Sequence, residues 1–319
     1  MVSSPATLLP GEAMRLGDDG CALWRDTLVQ VQSGLQALPD KPEETAVATL
    51  RALWHLAAGE PMSARAAMGH ELPTLDAGQR ELLRDLVARR LAGTPLAYLT
   101  GRQSFMGVEM IAAPGALIPR GETELLGAAA VTLLHQLTQA RDHIIVVDAC
   151  TGSGNLAGAL ALAEPGVVVY ASDLSAEAVD LARRNMAFLG LEDRVTLEVG
   201  DLLAPFCVNG LLGQVDLLTC NPPYISSGRV AGMPSEIAAH EPSVAFDGGP
   251  LGVRILQRLI RESPQLLRPG GWLAFEVGAG QGPAVEHRLH KANEYGRVER
   301  VLDARGEVRA LLAQRAMDT

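Results

Sequence analysis

Asn221-Pro222-Pro223-Tyr224 is where the residue types of this chain say most about chemistry. The tetrapeptide ends an apolar run, Val215-Asp216-Leu217-Leu218-Thr219-Cys220, that reads as a buried strand. The strand must stop there, because neither proline has an N–H to give to a sheet ladder. Two consecutive fixed φ angles also turn the backbone into a stiff shelf. At a strand's carboxyl end, an amide side chain, free carbonyls and an aromatic ring suit the holding of a planar nitrogen group. The competing reading is a Pro-rich turn that only ends a strand.

Three acidic positions upstream weigh against the plain turn. The stretch Asp148-Ala149-Cys150-Thr151-Gly152-Ser153-Gly154 follows an apolar strand. Its Gly152 and Gly154 let the backbone pass close to a ligand and open the next helix. This Gly-x-Gly is shared by dinucleotide and sulfonium-nucleoside binders. The third glycine of the dinucleotide fingerprint is missing, since Leu156 and Ala157 occupy that region. The next strand ends in Ser172-Asp173-Leu174, about 20 residues on, where a carboxylate can accept from both ribose hydroxyls. A third ends in Gly200-Asp201-Leu202, with an acid suited to a purine amino group. Asp173 and Asp201 also fit simple helix N-caps. An acid after each of three successive strands is nonetheless a consistent set, and Asp148, Cys150, Thr151, Gly152, Gly154, Asp173, Leu174, Asp201 and Leu202 are taken together with Asn221 as a cofactor site.

Strands and helices alternate around these motifs. Strands are expected at Ile144–Val147, Val167–Ala171, Val195–Val199, Val215–Thr219 and Trp272–Glu276, and helices at Leu156–Ala163, from Ser175 to about Leu189, and at Val253–Leu267. A helix and a hairpin around Val298–Leu312 close the chain. The alternation predicts a doubly wound α/β sheet, mostly parallel, with its sites at the strands' carboxyl ends. Residues 1–20 are poor in pattern and expected to be mobile, and from Leu23 to about Gly93 the apolar spacing predicts four or five short helices. Residues 94–119 read as a hairpin or linker without helix. The expected organisation is a helical domain over 1–93 that recognises the acceptor, a linker over 94–119 and a catalytic domain over 120–319.

Composition narrows the classes. A hydrophobic fraction of 48% with 20% charged residues is ordinary for a globular protein. The net charge of −10 argues against binding nucleic acid through a basic face, although Arg84, Arg89, Arg90, Arg102 and Arg120 cluster in one stretch. The four cysteines lie far apart without Cys-x-x-Cys or metal spacing, so Cys150 and Cys220 read as small buried side chains at strand ends. No metal is expected. The N-terminus lacks a signal-like segment and no stretch is apolar enough to span a bilayer, so the expected location is the cytoplasm, with reduced thiols.

The glycine turn, the acids and the tetrapeptide together resemble the class I S-adenosylmethionine-dependent methyltransferases of the amino-methylating branch. Further blocks sharpen the likeness: Thr94-Pro95-Leu96-Ala97-Tyr98-Leu99-Thr100-Gly101, Phe105-Met106-Gly107, Leu117-Ile118-Pro119-Arg120-Gly121-Glu122-Thr123-Glu124, Glu241 to Gly249, and Phe275 to Gly282. In this order they resemble the HemK-type protein-(glutamine N5) methyltransferases, which modify peptide chain release factors. The resemblance spans nearly the whole chain. It departs where the family usually has a second Pro (here Gly121), Leu-Gly (here Ala149-Cys150) and Asp-Gly-Leu (here Leu251-Gly252-Val253).

The resemblance implies S-adenosylmethionine as cofactor, a release factor as partner, and amide methylation. Asn221 and the Pro222 carbonyl would accept the two amide hydrogens. Tyr224 would wall the pocket and face the methyl-sulfonium, or else serve as core packing. Arg120, Glu122 and Glu124 are expected as a flap over the cofactor, or, for the two glutamates, as helix-start carboxylates. Glu276 and His240 are expected in structural roles. The departures keep a second function open: the same fold and cofactor acting on a small molecule in specialised metabolism, including a reaction other than methyl transfer. A non-catalytic cofactor binder fits less well with an intact Asn-Pro-Pro-Tyr, and nucleic-acid base methylation less well with the acidic balance.

Overall fold

The computed structural model describes residues 8, 12–230 and 232–317. The chain divides into two units, Met1–Ala113 with Ser235–His240, and Pro114–Pro234 with Glu241–Thr319.

The first unit is built on the helices Glu12–Gly34, Ala46–Ala57, Ala64–Ala67, Ala77–Leu91 and Leu96–Thr100. Thr45, Ser63 and Asp76 cap three of them by accepting from the amides of Ala48, Ala66 and Gln79. Trp24 meets Trp54 edge to face, ring centres 5.8 Å apart, within a core that includes Leu50, Leu53, Leu83 and Leu86. The expectation of mobility fails for residues 12–20, which are helical apart from a break at Gly17. Their anchor is remote in sequence: the buried Glu12 carboxylate pairs with Arg51 at 2.7 Å and accepts from the Leu72 amide at 3.0 Å. Residues 1–7 and 9–11 lie outside the described residues.

Residues 94–119 are not a separate linker. Leu96–Thr100 is a helical turn, tied by the Thr100 hydroxyl donating to the Leu96 carbonyl and ended by Gly101 in the left-handed region. The hairpin β1 (Arg102–Phe105) and β2 (Val108–Ile111) follows. It belongs to the first unit because the Ser63 amide and hydroxyl both donate to Glu109, at 2.6 and 2.7 Å, while Phe105 and Met110 are buried. Ser235–His240 joins the same unit through Glu236, which pairs with Lys41 at 3.2 Å and Arg90 at 2.7 Å.

The second unit carries a seven-stranded sheet in the order β5-β4-β3-β6-β7-β9-β8. The strands are β3 (Ile145–Ala149), β4 (Val168–Asp173), β5 (Val195–Val199), β6 (Val215–Cys220), β7 (Leu267–Glu276), β8 (Tyr295–Leu302) and β9 (Val308–Arg315). Strands β3 to β7 pair in parallel; β9 runs antiparallel to both β7 and β8. Every residue of β6 is buried, as a central strand covered on both faces requires. The helices Asn155–Ala163, Ala176–Leu189 and Arg254–Leu266 lie close to their expected bounds. Helix Thr123–Ala140 is an addition that the strand–helix alternation does not announce.

Four of the five clustered arginines are held in ion pairs. Arg84 and Arg89 pair with Glu81 and Asp85, and Arg90 and Arg120 are buried in ion pairs with Glu236 and Glu241. Among the described residues no helix is long and apolar enough to cross a membrane, and no group of three His, Cys, Asp or Glu is arranged to hold a metal ion.

Candidate active site

Chain order reverses at β3: the path runs outward through β4 and β5, then returns to pair β6 on the other side. In such sheets the crevice at the reversal is the natural ligand site. A cavity of about 150 Å³ lies there, at the carboxyl ends of β3, β4, β5 and β6, and the described residues that line it belong to the second unit.

The glycine loop after β3 supplies one part of the lining. Cys150, Thr151 and Gly152 line the cavity. Asp148 does not. It is fully buried, accepting from the hydroxyls of Thr151 at 2.6 Å and Thr219 at 2.7 Å. Burial pushes its carboxyl up to about 6, against those hydrogen bonds. Gly154 also stands back from the cavity, and its role is steric. With φ at 80°, it lets the helix starting at Asn155 approach Ala182 and Met186, whose atoms would lie 3.2 and 3.1 Å from a Cβ. Cys150 (φ 56) and Leu202 (φ 52) adopt the left-handed region without being glycine, a local strain of about 1 kcal/mol each.

Asp173 reaches the cavity while holding the loop in shape. Its oxygens accept from the Gly152 amide at 2.9 Å and the Ser175 amide at 3.0 Å. Burial raises its carboxyl above the usual range, opposed by those amides. Leu174, Leu202 and Asp201 also line the cavity, Asp201 with both oxygens 3.0 Å from Arg258 Nη1.

Asn221 forms the other end. It lines the cavity and donates from Nδ2 to the Thr123 hydroxyl oxygen at 3.0 Å. Thr123 donates in turn to Glu276 at 2.7 Å, and the Tyr224 hydroxyl donates to the second Glu276 oxygen, also at 2.7 Å. Tyr224, expected as a wall of the pocket, is not among the lining residues, and of the two prolines it is Pro223 that lines the cavity. Tyr224 packs against the hydrophobic core, with its phenol pushed well above its usual range by burial and by Glu276. Burial likewise pushes the Cys220 thiol well up, which leaves it inert.

Segment Glu241–Gly252 locks this shelf in place. Ile225 donates to the Phe246 carbonyl at 2.9 Å, and Gly248 donates back to Ile225 at 2.8 Å. A Cβ on Gly248 would lie 2.7 Å from the Pro223 oxygen, and one on Gly252 2.2 Å from that of Tyr224. Only glycine permits backbones this close.

Arg120, Glu122 and Glu124 are not the cover. Arg120 is buried and paired with Glu241 at 2.5 Å, Glu122 pairs with Arg309 at the helix start, and Glu124 lies in the first helical turn. The cavity is lined instead by Gly115, Ala116, Leu117 and Pro119 from the segment before the helix, and by Pro242, Val244 and Ala245. Thr123, Asn155, Ser175, Asp247 and Arg254 also line it without having been singled out. Several of these fall inside the sequence blocks already quoted, which was the only signal for them.

Residues 124–292 match the family model described as methyltransferase small domain. Release factor glutamine methyltransferase of Moorella thermoacetica is 41% identical over 229 residues, covering 72% of this chain and 78% of that protein. The enzyme of the same name from Thermosynechococcus vestitus is 39% identical, covering 69% and 74%. The chain belongs to the release factor glutamine methyltransferase family. It is a methyltransferase. The crystal structure of the hMettl16 catalytic domain in complex with a MAT2A 3'UTR hairpin shares the fold, at TM-score 0.52 and 18% identity, covering 73% of this chain and 83% of that one. Of the three departures from the family blocks, Gly121 and Leu251 stand away from the cavity, and Leu251 is exposed. Cys150 does line it, in a backbone conformation that glycine, the family's usual residue there, adopts without strain.

Proposed function

We propose that this methyltransferase transfers a methyl group from S-adenosylmethionine to the side-chain amide nitrogen of a glutamine in a peptide chain release factor. The observation that carries the reading is the position of Asn221 on the cavity wall, at the end of β6 and one strand from the glycine loop.

The donor set fits the cofactor. The Asp173 carboxylate is an acceptor pair for ribose hydroxyls, Leu174 and Leu202 offer apolar faces to a purine, and Gly152 leaves the backbone accessible. When bound, S-adenosylmethionine supplies a methyl activated by its sulfonium. A carboxamide nitrogen is a weak nucleophile, because its lone pair is delocalised into the carbonyl. Asn221 Oδ1 and the Pro222 carbonyl would accept its two N–H hydrogens, orienting the nitrogen and favouring its pyramidal form. The nitrogen's proton becomes acidic as the methyl arrives, so no dedicated base is needed.

We assign acceptor recognition to the first unit, since every described residue lining the cavity belongs to the second. Hydrogen exchange with a release factor bound should then protect amides within residues 12–113. Protection confined to the second unit would overturn that assignment. The cytoplasm, where translation takes place, is the location this function implies. The test of the function is transfer of labelled methyl from S-adenosylmethionine to a purified release factor, run beside a small-molecule extract. Label in the extract and none in the protein would sink the reading.

A further inference from the structure

We infer that Glu276 is a positioning residue that fixes which end of the Asn221 amide faces the acceptor, so that the site selects a nitrogen carrying hydrogens. The inference rests on the reading of Asn221 given above and adds the reason for its orientation.

Hydrogen-bond polarity carries it. Glu276 is only 1% exposed, and each of its oxygens meets one hydroxyl, Thr123 at 2.7 Å and Tyr224 at 2.7 Å. An ionised carboxylate only accepts, so both hydroxyls must donate to it. A hydroxyl has one hydrogen. Once Thr123 gives its hydrogen to Glu276, it offers Asn221 only lone pairs. The Asn221 group that meets Thr123 at 3.0 Å must then be the NH2. Because the amide is planar, its carbonyl oxygen is turned away from Thr123 and left to accept from the acceptor nitrogen. One buried charge thus sets, through one hydroxyl, the polarity of a group on the cavity wall.

Other charges bear on Glu276. Arg309 favours its ionised form, and Glu122, paired with Arg309, opposes it. Burial pushes the Glu276 carboxyl up, while the two hydroxyls and Arg309 pull it back. Thr123 is itself buried, at the start of helix Thr123–Ala140. Without the relay, a half-turn of the amide would present a donor to a donor, and the nitrogen would lose its alignment.

The experiment uses the full-length protein and two readouts. The first is the Asn221 side-chain amide resonance in ¹⁵N-asparagine-labelled protein, assigned by its absence in Asn221→Asp. The second is kcat for methyl transfer to a release factor, with S-adenosylmethionine affinity measured alongside. Thr123→Val keeps the shape but removes the hydroxyl, and should move the Asn221 resonance and lower kcat about 10–100-fold. Its KM and donor affinity should change far less than kcat. Thr123→Ser should recover most of the loss, because it restores the hydroxyl. Glu276→Gln, which keeps the shape but brings a donor, should reproduce the Thr123→Val effects. The double variant should be no worse than the single ones, since all act through one relay. An unmoved resonance in both Thr123→Val and Glu276→Gln would overturn the inference, as would a Thr123→Ser variant as impaired as Thr123→Val. If Thr123→Val does not fold, Glu276→Gln alone decides by the same readouts. If the unaltered protein methylates no release factor, the acceptor reading fails on its own. The resonance, which needs no acceptor, still decides the relay.

Discussion

At the glycine-loop end of the cavity, the hydrogen bonds to Asp173 and from Thr151 to Asp148 join residues 2, 21 and 3 positions apart, and one longer bond, from Thr219 to Asp148, spans 71. At the Asn221 end they span 52, 98 and 153 positions: Tyr224 to Glu276, Asn221 to Thr123 and Thr123 to Glu276. The first end is mainly a local conformation of the strand–loop–helix unit, pinned at Asp148 by Thr219 of the neighbouring strand. The second is an assembly of three segments held around one buried carboxylate. On the proposed reading the methyl donor would meet mainly local backbone, while Asn221, which would align the acceptor, is held by long-range side-chain contacts. The two ends should therefore fail separately.

Asn221→Ala offers the largest break. It should lower turnover about 10²–10⁴-fold, because alignment of the nitrogen counts mainly in the transition state. Cofactor affinity, read by calorimetry, should stay within a few-fold. Parallel loss of both would mean the two ends are one cooperative structure.

The buried Asp148 gives the next effect, on stability. Its carboxyl is raised from 3.8 to about 6, so the folded protein holds that proton more tightly than the unfolded chain. The resulting stabilisation is full below about pH 4 and is lost as pH rises through about 6, amounting to about 3 kcal/mol. The stability of the unaltered protein minus that of Asp148→Asn, from urea melts, should therefore fall across this window. A flat difference would show that Asp148 is not buried as described.

Asp173→Ala should weaken cofactor binding about 10–100-fold, through the loss of charged hydrogen bonds. With cofactor saturating, kcat should be little changed. A collapse of kcat at saturation would move Asp173 to the acceptor end of the account.

Gly154→Ala is the smallest and sharpens the loop end. It should cost about 1–2 kcal/mol of stability, since alanine there is strained at positive φ. Cofactor affinity should remain within about threefold by the same comparison of contacts. A large affinity loss in a stable variant would return Gly154 to the cofactor site.

What could be read in the sequence follows the same division. Strands Val195–Val199 and Val215–Cys220, the glycine loop and the acid after each strand were legible, because period, glycine and charge act over a few residues. So was Asn221, through the prolines that end its strand. Thr123 and Glu276 were visible as residues of two blocks, but nothing local joins positions 153 apart. The buried Glu12–Arg51 pair, which anchors the start of the first helix, escaped for that reason too. Arg120 reads as a free cation in the sequence, and only the folded chain sets Glu241 against it. The assignment of residues 102–111 to the first unit depends on Glu109 meeting Ser63, again a matter of tertiary contact.

The central claim is the identity of the methylated atom. The direct measurement is fragmentation mass spectrometry of a release factor after incubation with the enzyme and ¹³C-methyl S-adenosylmethionine, followed by acid hydrolysis of the labelled peptide. The account predicts one labelled methyl on a glutamine side chain, released on hydrolysis as labelled methylamine. Label on any other residue, or its release as methanol from an oxygen, would contradict it.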